Sequence, residues 1–381
     1  MACKQESALA SVFAVSETTL GFTRLAELYG IDLVQPLFTK SKLGSSRGTH
    51  AANDHEIKTY PAQYEPEDSF RGHFEFGLKY DRLNFEFLSR LFEKIYPQEV
   101  AAWVQDEPTG QYARRTGFLY EWFTGRTVPI ENPKRVNYVD AVDGSLYLTA
   151  TKPTNNVRWS VRDNLPGTPS FCPLVYIGPE NGRSWIYDVA AGVQELDDTY
   201  GPELLLRCAA WLTFKESRAS FEIEHEADKQ DRVKRFAAAI GQYSGKLEEP
   251  LSEPSLLLLQ RAVLGEAALR IGVRQSPVFV GEENYLTQIV HYIAPDEGMV
   301  ADMLEALANF ERRTQRANSL VRTAAISYAF VYLHPLIDGN GRVHRFLINH
   351  LLAADGLVPA NIVIPISATI SGSAKGRADY D

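Results

Sequence analysis

The stretch that decides the fold lies near the C-terminal end and runs His334-Pro335-Leu336-Ile337-Asp338-Gly339-Asn340-Gly341-Arg342-Val343-His344-Arg345. The segment before it, residues 319–333, is apolar almost all round, which predicts a helix buried in the centre of a domain. Pro335 ends that helix, because proline lacks the amide hydrogen that a helix interior uses. Helical spacing resumes over residues 342–354. The stretch is therefore predicted to form a helix-loop-helix corner.

The loop carries the features of an anion site. Gly339 and Gly341 flank Asn340 and free the backbone to point successive N–H groups into one concavity that opens onto a helix N-terminus. Arg342 and Arg345 fall in the first turn of that helix, where a cation opposes the macrodipole at a cost of roughly 0.3–1 kcal/mol each. A bound anion would compensate that cost, and the geometry suits a phosphate.

Two further side chains add chemistry to this anion site. Asp338 is the one carboxylate of the loop and is placed to hold Mg²⁺ beside polyphosphate oxygens. His334, at the end of the buried helix, is the loop residue best suited to take a proton near neutral pH. Each feature also has a structural interpretation, as a helix cap, a tight turn or a structural histidine. Their combination within one loop favours the functional interpretation.

The loop resembles the signature of the Fic (Fic/Doc) family, His-Pro-Phe-x-Asp/Glu-Gly-Asn-Gly-Arg-x-x-Arg, and it matches every polar position. Leu336 stands where the family usually has Phe, a change expected to alter packing under the loop and to leave its chemistry intact. The resemblance implies transfer of AMP from ATP to a hydroxyl side chain of a target protein. The loop alone leaves open which phosphorus is attacked, because a nest and two arginines bind any polyphosphate.

The resemblance also implies a role for each matched residue. His334 is expected to act as the general base for the target hydroxyl, and Asp338 as the Mg²⁺ ligand. The α- and β-phosphates are expected at Gly339, Asn340, Gly341 and Arg342, and the γ-phosphate at Arg345.

A second motif precedes the loop by about a hundred residues. Ser220 and Glu224 match the spacing of the family's inhibitory motif, Ser/Thr-x-x-x-Glu-Gly/Asn, as in the subclass that carries its inhibitory helix on the N-terminal side. His225 departs from this pattern, because Gly or Asn there would readily end the helix. The competing interpretation is an exposed helix on which Glu224 is one carboxylate among its neighbours, Glu222 and Glu226.

The resemblance implies how Glu224 would inhibit. Its carboxylate is expected to form a bidentate pair with Arg345 and so to occupy the guanidinium that a γ-phosphate needs. ATP would then bind with its triphosphate turned away from in-line attack, and inhibition would affect chemistry more than affinity.

The composition of the chain argues against several other classes of protein. The chain has 381 residues, 45% hydrophobic and 23% charged, which is ordinary for a soluble protein of two or three domains. A formal net charge of −9 argues against coating nucleic acid. No membrane-spanning stretch and no signal peptide are predicted, and the three cysteines form no paired framework. A cytoplasmic location is therefore expected.

The predicted fold class is mainly α, a Fic-like helical bundle with a β-hairpin flap, preceded by an α+β N-terminal region. The predicted domains are residues 1–195, of unassigned function, and residues 196–381, the Fic-like domain with an inhibitory helix near 205–225. The pattern also predicts a helix over Leu78–Ile95, a loop over Ser41–Glu56 and a hairpin over Ser276–Ile293. The natural chain is expected to continue past Asp381, about where a further helix of the family core would begin.

The predicted function is that of a protein adenylyltransferase autoinhibited by Glu224, with ATP as substrate and Mg²⁺ as cofactor. The expected partner is a protein with an accessible Ser, Thr or Tyr hydroxyl. Self-modification is expected, and neither nucleic acid nor a membrane is an expected partner. A homodimer is left open. Two alternatives are transfer of UMP or phosphate by the same loop and a non-catalytic interaction protein on the same fold.

Overall fold

The computed structural model describes residues 18–131, 136–178, 188–226, 228–265, 268–283, 288–359 and 362–380. The chain divides into two compact units. The first runs to Val139 and includes Asn156–Val161, and the second holds Asp140–Asn155 and the residues from Arg162 onward. The predicted fold class, mainly α with a hairpin and an α+β N-terminal region, is confirmed. The domain limits 1–195 and 196–381 stay a prediction.

The first unit contains a four-stranded sheet in the order β1-β2-β4-β3. Strands β2 and β4 pair in parallel, and the other two pairs are antiparallel. Strand β3 lies within the segment predicted to be a loop, and β2 and β4 overlap its two ends, so the loop prediction was wrong for these residues. The strands are β1 Thr19–Leu20, β2 Thr39–Leu43, β3 Gly48–Ala51 and β4 Glu56–Tyr60.

Five helices of the first unit are described, and their ends follow local capping rules. The predicted helix over Leu78–Ile95 is divided in two, because the Asn84 side chain accepts a hydrogen bond from the Phe87 amide and begins a new helix there. Pro97 begins the next helix at its favoured first position. The helices are α1 Gly21–Leu28, α2 Phe70–Tyr80, α3 Phe85–Lys94, α4 Pro97–Asp106 and α5 Gln111–Thr124, with a short 3₁₀ turn at Ala62–Tyr64.

Three short strands lie where the chain passes between the units: β5 Val139–Asp140, β6 Thr154–Asn156 and β7 Val161–Asp163. The described helices of the second unit are α6 Val189–Tyr200, α7 Pro202–Ile223, α8 Gln230–Tyr243, α9 Glu253–Leu264, α10 Val300–Arg313, α11 Ser319–Leu333, α12 Asn340–Ala354, α13 Ile366–Ser371 and α14 Ala374–Tyr380, with a 3₁₀ turn at Glu297–Met299.

Helix α11 lies in the core of the second unit, as its apolar sequence predicted. Its buried residues Ile326, Phe330 and Leu333 belong to one cluster with side chains of α9, α10 and α12. Burying a side chain of this size contributes about 1.5–3 kcal/mol. The core therefore fixes the ends of α11 and α12, and with them the loop between them.

The predicted hairpin is present as β8 Phe279–Glu283 and β9 Gln288–Ile293, paired antiparallel with an irregularity between Val280 and Gly281. The turn predicted near Asn284 falls outside the described residues. Across the described part of the chain, none of the helices has the length and apolar character needed to cross a membrane.

Candidate active site

Helix α11 ends at Leu333, and His334 follows in the left-handed region at φ 47°. Its amide still donates to the Phe330 carbonyl at 3.0 Å, so the last helical turn is closed before Pro335. A side chain at positive φ is uncommon and costs about 1–2 kcal/mol. The imidazole lines a cavity, as expected for a group that reacts with a ligand.

Buried polar side chains hold the loop in shape. The Asn340 side-chain amide donates to the Leu336 carbonyl at 2.8 Å, and its oxygen accepts from the Leu336 amide at 2.9 Å. Gln260 of α9 donates to the Asp338 carbonyl and accepts from the Gly272 amide, both at 2.8 Å. Leu336, the departure from the family signature, is buried in the core. Asn340, predicted to bind nucleotide, therefore uses its side chain to brace the loop.

The first turn of α12 forms the expected anion position. Gly339 precedes the helix at φ 86°, a conformation that glycine adopts without strain. A Cβ on Gly341 would collide with Oε1 of Glu224, so that carboxylate lies directly on the first turn. A helix N-terminus attracts an anion through its free N–H groups and its dipole. In this structure Glu224 is the anion next to that turn.

Arg345 is buried and fully engaged with α7 and α14. Its Nε donates to Ser220 Oγ at 2.9 Å, and Nη2 donates to the Ser220 carbonyl at 3.0 Å and to Glu224 Oε1 at 2.8 Å. Nη1 contacts the hydroxyl of Tyr380 at 2.9 Å. The contact with Glu224 is through one oxygen, which differs from the bidentate pair expected from the sequence. Ser220 takes the place that the second carboxylate oxygen would have filled.

Arg342 is held by a different carboxylate. Its Nη1 donates to Glu226 Oε2, and Nη2 lies 3.4 Å from Asp338 Oδ1. Its guanidinium also lies over the Phe221 ring, 5.0 Å from the centroid. The Nε atom is buried and has no hydrogen-bond partner among the described residues. A buried donor of this kind fits an anionic ligand beside it.

The way in which α7 ends explains why Glu224 contacts Arg345 and Glu226 contacts Arg342. The helix ends at Ile223, and His225 adopts φ 57°. The His225 amide donates to the Glu222 carbonyl at 3.1 Å and the Glu226 amide to the Phe221 carbonyl at 2.8 Å, the pattern of a Schellman cap. The cap turns the chain back, so that Glu226 points at the loop as Glu224 does. The helix thus ends where the family motif predicts, although His replaces Gly or Asn.

The cavity has a volume of about 1070 Å³. Its wall includes His334, Glu224 and Gly341 together with Val280 and Tyr292 of the hairpin. Apolar residues of α11 and α12 supply much of the remaining wall. An apolar cavity with a few convergent polar groups is typical of a small-molecule site.

Burial lowers the pKa of His334 below its ordinary value. The Arg274 cation acts in the same direction and the Glu224 carboxylate opposes it. Because the neutral imidazole is favoured at pH 7, its free nitrogen can accept a proton from a hydroxyl.

Asp338 is the predicted metal ligand, and its side chain is 49% exposed at the mouth of the loop. No group of three or more His, Cys, Asp or Glu side chains suited to a metal occurs among the described residues. Mg²⁺ commonly takes one or two protein carboxylates and completes its shell with phosphate oxygens and waters. A single accessible carboxylate beside an anion position fits that arrangement.

The structure thus brings together every site residue predicted from the sequence, and it adds four that the sequence reasoning missed: Gln260, Arg274, Glu226 and Tyr380. Gln260 had a signal, because it is an isolated amide in the apolar run of α9. Glu226 was treated as background charge. Arg274 and Tyr380 had no local signal, because their roles depend on contacts distant in sequence.

Comparison with known proteins agrees with this site. Residues 250–352 match the model of the Fic/DOC family. Over 125 residues the chain is 34% identical to protein adenylyltransferase Fic of Drosophila grimshawi, covering 32% of this chain and 23% of that protein. It is 35% identical over 127 residues to the protein of the same name in Drosophila persimilis, covering 32% and 22%. It is 29% identical over 137 residues to protein adenylyltransferase fic-1 of Caenorhabditis briggsae, covering 35% and 24%.

The chain spans less than a quarter of the length of these curated relatives. The matched family segment contains the loop, the hairpin and helices α10 to α12, and it begins after the end of α7. We conclude that residues 250–352 form a domain of the Fic/DOC family.

Proposed function

We propose that this chain is a protein adenylyltransferase that moves AMP from ATP to a Ser, Thr or Tyr hydroxyl of a protein. The observation that carries the proposal is the placement of the His334 imidazole and the first turn of α12 at one cavity, with Arg342 and Arg345 beside that turn. The relatives named protein adenylyltransferase support it through the domain that they share with this chain.

The proposed reaction uses these residues in one displacement. His334 accepts the proton of the target hydroxyl, whose oxygen forms a bond to the α-phosphorus of ATP. The bond from that phosphorus to the bridging oxygen breaks, and pyrophosphate leaves. Arg342, Arg345 and the N–H groups at the start of α12 stabilise the negative charge on the phosphates. Mg²⁺ held by Asp338 would neutralise further charge on the leaving pyrophosphate.

We propose that the same site is inhibited within the chain. The Glu224 carboxylate lies on the anion position and contacts the arginine that would hold the γ-phosphate. Glu226 contacts the arginine that would hold the α- and β-phosphates. A triphosphate in the productive arrangement must therefore displace two carboxylates, and the free energy needed to break each contact reduces the population of productive complex.

The hairpin supports a docking mode for the protein substrate. Both strands carry exposed apolar side chains, with Phe279 and Val280 on β8 and Ile289, Val290 and Ile293 on β9. An exposed strand edge can add an extended segment through main-chain hydrogen bonds, which places a hydroxyl with little side-chain specificity. The competing role is a structural hairpin. The target, self-modification, a homodimer and a cytoplasmic location stay predictions.

The decisive experiment labels the transferred group. The Glu224→Ala variant is incubated with ATP labelled on the α-phosphate, with ATP labelled on the γ-phosphate or with UTP labelled on the α-phosphate, and protein-bound label is measured. AMP transfer gives label only from the α-position of ATP, phosphate transfer gives it from the γ-position of ATP, and UMP transfer gives it from α-labelled UTP. The Glu224→Ala, His334→Ala double variant is the control.

A non-catalytic interaction protein is the second hypothesis. It predicts that Glu224→Ala acquires no protein-bound label from any of these labelled nucleotides, including when a cell lysate supplies targets. That result, with ATP binding intact, would overturn the proposed activity.

A further inference from the structure

Arg274 is a buried arginine whose partners are backbone carbonyls. Its side chain is 1% exposed, and its Nε donates to the His334 carbonyl at 2.8 Å. Nη1 donates to the Ser276 carbonyl at 3.0 Å, and Nη2 donates to the carbonyls of Pro295 at 2.5 Å and Leu333 at 3.3 Å. No carboxylate pairs with it among the described residues. A buried arginine is usually paired with a carboxylate, so this arrangement needs a reason.

The position of the guanidinium reduces the cost of burying it. The carbonyls of Leu333 and His334 belong to the end of α11, where the last carbonyls lack partners within the helix and carry partial negative charge. A cation at that end is stabilised by the helix, and its fork of donors satisfies several carbonyls at once. The charge is therefore compensated by backbone dipoles, and these dipoles border the proposed general base.

His334 needs such support because its backbone conformation is doubly unfavourable. It combines positive φ with a position before proline, where the preceding residue is restricted toward extended conformations. Arg274 bonds to three successive carbonyls here, since Nη2 donates to the Leu333 carbonyl, Nε to that of His334 and the backbone amide to that of Pro335. Strained residues persist where surrounding contacts over-determine them.

The same guanidinium holds the hairpin. Ser276 precedes β8 and Pro295 follows β9, so Arg274 joins both ends of the hairpin to the end of α11. The hairpin contributes Val280 and Tyr292 to the wall of the cavity that His334 also lines. The Arg274 side chain thus contacts both the backbone of His334 and the two ends of the hairpin, and it fixes their relative position.

We propose that Arg274 is a positioning residue for group transfer, which holds His334 and the hairpin in the arrangement that brings a target hydroxyl to the base. The inference rests on the proposed function for the reaction it serves. Arg274 makes no contribution to phosphate binding in this assignment, because all its described donors are engaged by carbonyls.

Arg274 also acts on His334 through its charge. Arg274 and Glu224 are the charged groups that shift the pKa of this imidazole, in opposite directions. In the Glu224→Ala variant, Arg274 is the one of these two charged groups that still acts on the pKa of His334. Removing its positive charge favours the imidazolium and raises the pKa of His334, so the base becomes neutral only at higher pH. A purely structural residue would leave that titration in place.

The test separates geometry from charge in the Glu224→Ala background. Arg274→Lys keeps the charge and loses the fork, whereas Arg274→Met loses both. Arg322→Lys is the matched control, since Arg322 is an equally buried arginine of the same unit that pairs with Glu311 and Asp355 away from the loop. Circular dichroism and melting temperature establish that each variant is folded.

We expect Arg274→Lys to lower kcat about ten- to a hundredfold, the effect of a misplacement near 1 Å, with KM for ATP changed less than about threefold. The acid limb of its pH profile stays in place, whereas Arg274→Met moves it to higher pH. Arg322→Lys lowers the melting temperature and leaves kcat within about twofold. An unchanged kcat in Arg274→Lys, or equal losses in Arg274→Lys and Arg322→Lys, would overturn the proposal.

An NMR titration of the His334 imidazole keeps this inference separate from the proposed activity. Arg274→Met should raise the pKa of His334, and Arg274→Lys should leave the pKa in place while changing the imidazole chemical shifts. If Glu224→Ala transfers no AMP, the activity proposal fails and the titration alone decides whether Arg274 positions His334. If Arg274→Met unfolds, the imidazole shifts and kcat of Arg274→Lys decide. Unchanged imidazole shifts in Arg274→Lys would refute the positioning role.

Discussion

Replacing Glu226 with Ala should release Arg342 and strengthen ATP binding. Three glutamates near the end of α7 can be compared directly, because replacing each one with Ala removes the same charge from almost the same position. Glu224 contacts Arg345, Glu226 contacts Arg342, and Glu222 pairs with Arg218, which lies on the helix itself. The first two contacts involve the loop and the third does not, so Glu222→Ala is the control.

The expected size follows from the burial of each pair. A hydrogen bond to a charged group contributes about 1.5–3 kcal/mol. Glu226 is 22% exposed and also contacts Lys229 and Arg232, so we take about 1–2 kcal/mol for its contact with Arg342. At 1.4 kcal/mol per factor of ten, the apparent Kd for ATP should fall about five- to thirtyfold. The exposed Glu222–Arg218 pair contributes about 0.3–0.5 kcal/mol and does not touch the loop.

The assay is titration calorimetry with ATP and Mg²⁺, paired with initial rates of label transfer from α-labelled ATP. Glu226→Ala should act mainly on affinity, because Arg342 is the arginine assigned to the α- and β-phosphates. Glu224→Ala should raise kcat more than affinity, because we propose that the Glu224 carboxylate turns the triphosphate away from in-line attack. The double variant should show both gains, since the two carboxylates hold different arginines.

Equal ATP affinities in Glu226→Ala and Glu222→Ala would refute the role of Glu226. Equal gains in all three variants would mean that lost negative charge or a weakened helix end, rather than specific contacts, controls the site. A gain in activity in Glu224→Ala alone would mean that Glu224 is the carboxylate that inhibits the site and that Glu226 has no part in inhibition, as the family motif implies.

Two further predictions concern the loop, and a third concerns the end of α7. His334→Ala should abolish AMP transfer while calorimetry shows ATP binding largely retained, because the arginines and N–H groups supply the binding; parallel losses of affinity and turnover would contradict this. Asp338→Asn should raise the Mg²⁺ concentration needed for half-maximal transfer, since the loop loses its one carboxylate; an unchanged Mg²⁺ titration would argue against the metal role. His225→Gly should stabilise the end of α7 by about 1 kcal/mol, which raises the melting temperature and lowers basal transfer about fivefold, and higher basal transfer would show that the cap does not support inhibition.

The placement of the loop residues and of Ser220 and Glu224 could be predicted from the sequence, because it depends on local spacing. The twelve residues from His334 to Arg345 carry their glycines, cations and carboxylate at fixed spacing, and the apolar helix before them had one interpretation. Ser220 and Glu224 lie one helical turn apart, so both reach Arg345 once α7 packs beside the loop. Contacts of this kind follow from spacing along an element.

The role of Glu226 could not be predicted, because it depends on a backbone conformation. His225 lacks the usual preference for positive φ, and an uninterrupted helix would have pointed residue 226 elsewhere. Similarly, the break between α2 and α3 depends on the Asn84 cap, and strand β3, in the segment predicted as a loop, depends on its pairing with β4. Each of these errors arises where a cap or a distant partner overrides local pattern.

In the structure, carboxylates compensate an unfavourable placement of positive charge near the start of α12. Arg342 lies in the first turn of α12 and Arg345 in the second, so both place positive charge near the N-terminal end of the helix, where a cation opposes the macrodipole and a nearby anion compensates it. In the structure Glu224 and Glu226 supply that anion, one to each arginine. Under the proposed function, the contacts that neutralise the arginines in the absence of nucleotide are also those that ATP must replace for transfer. Weakening inhibition should accordingly lower the stability of the nucleotide-free protein, and ATP with Mg²⁺ should restore more stability to Glu224→Ala, Glu226→Ala than to the unmodified chain.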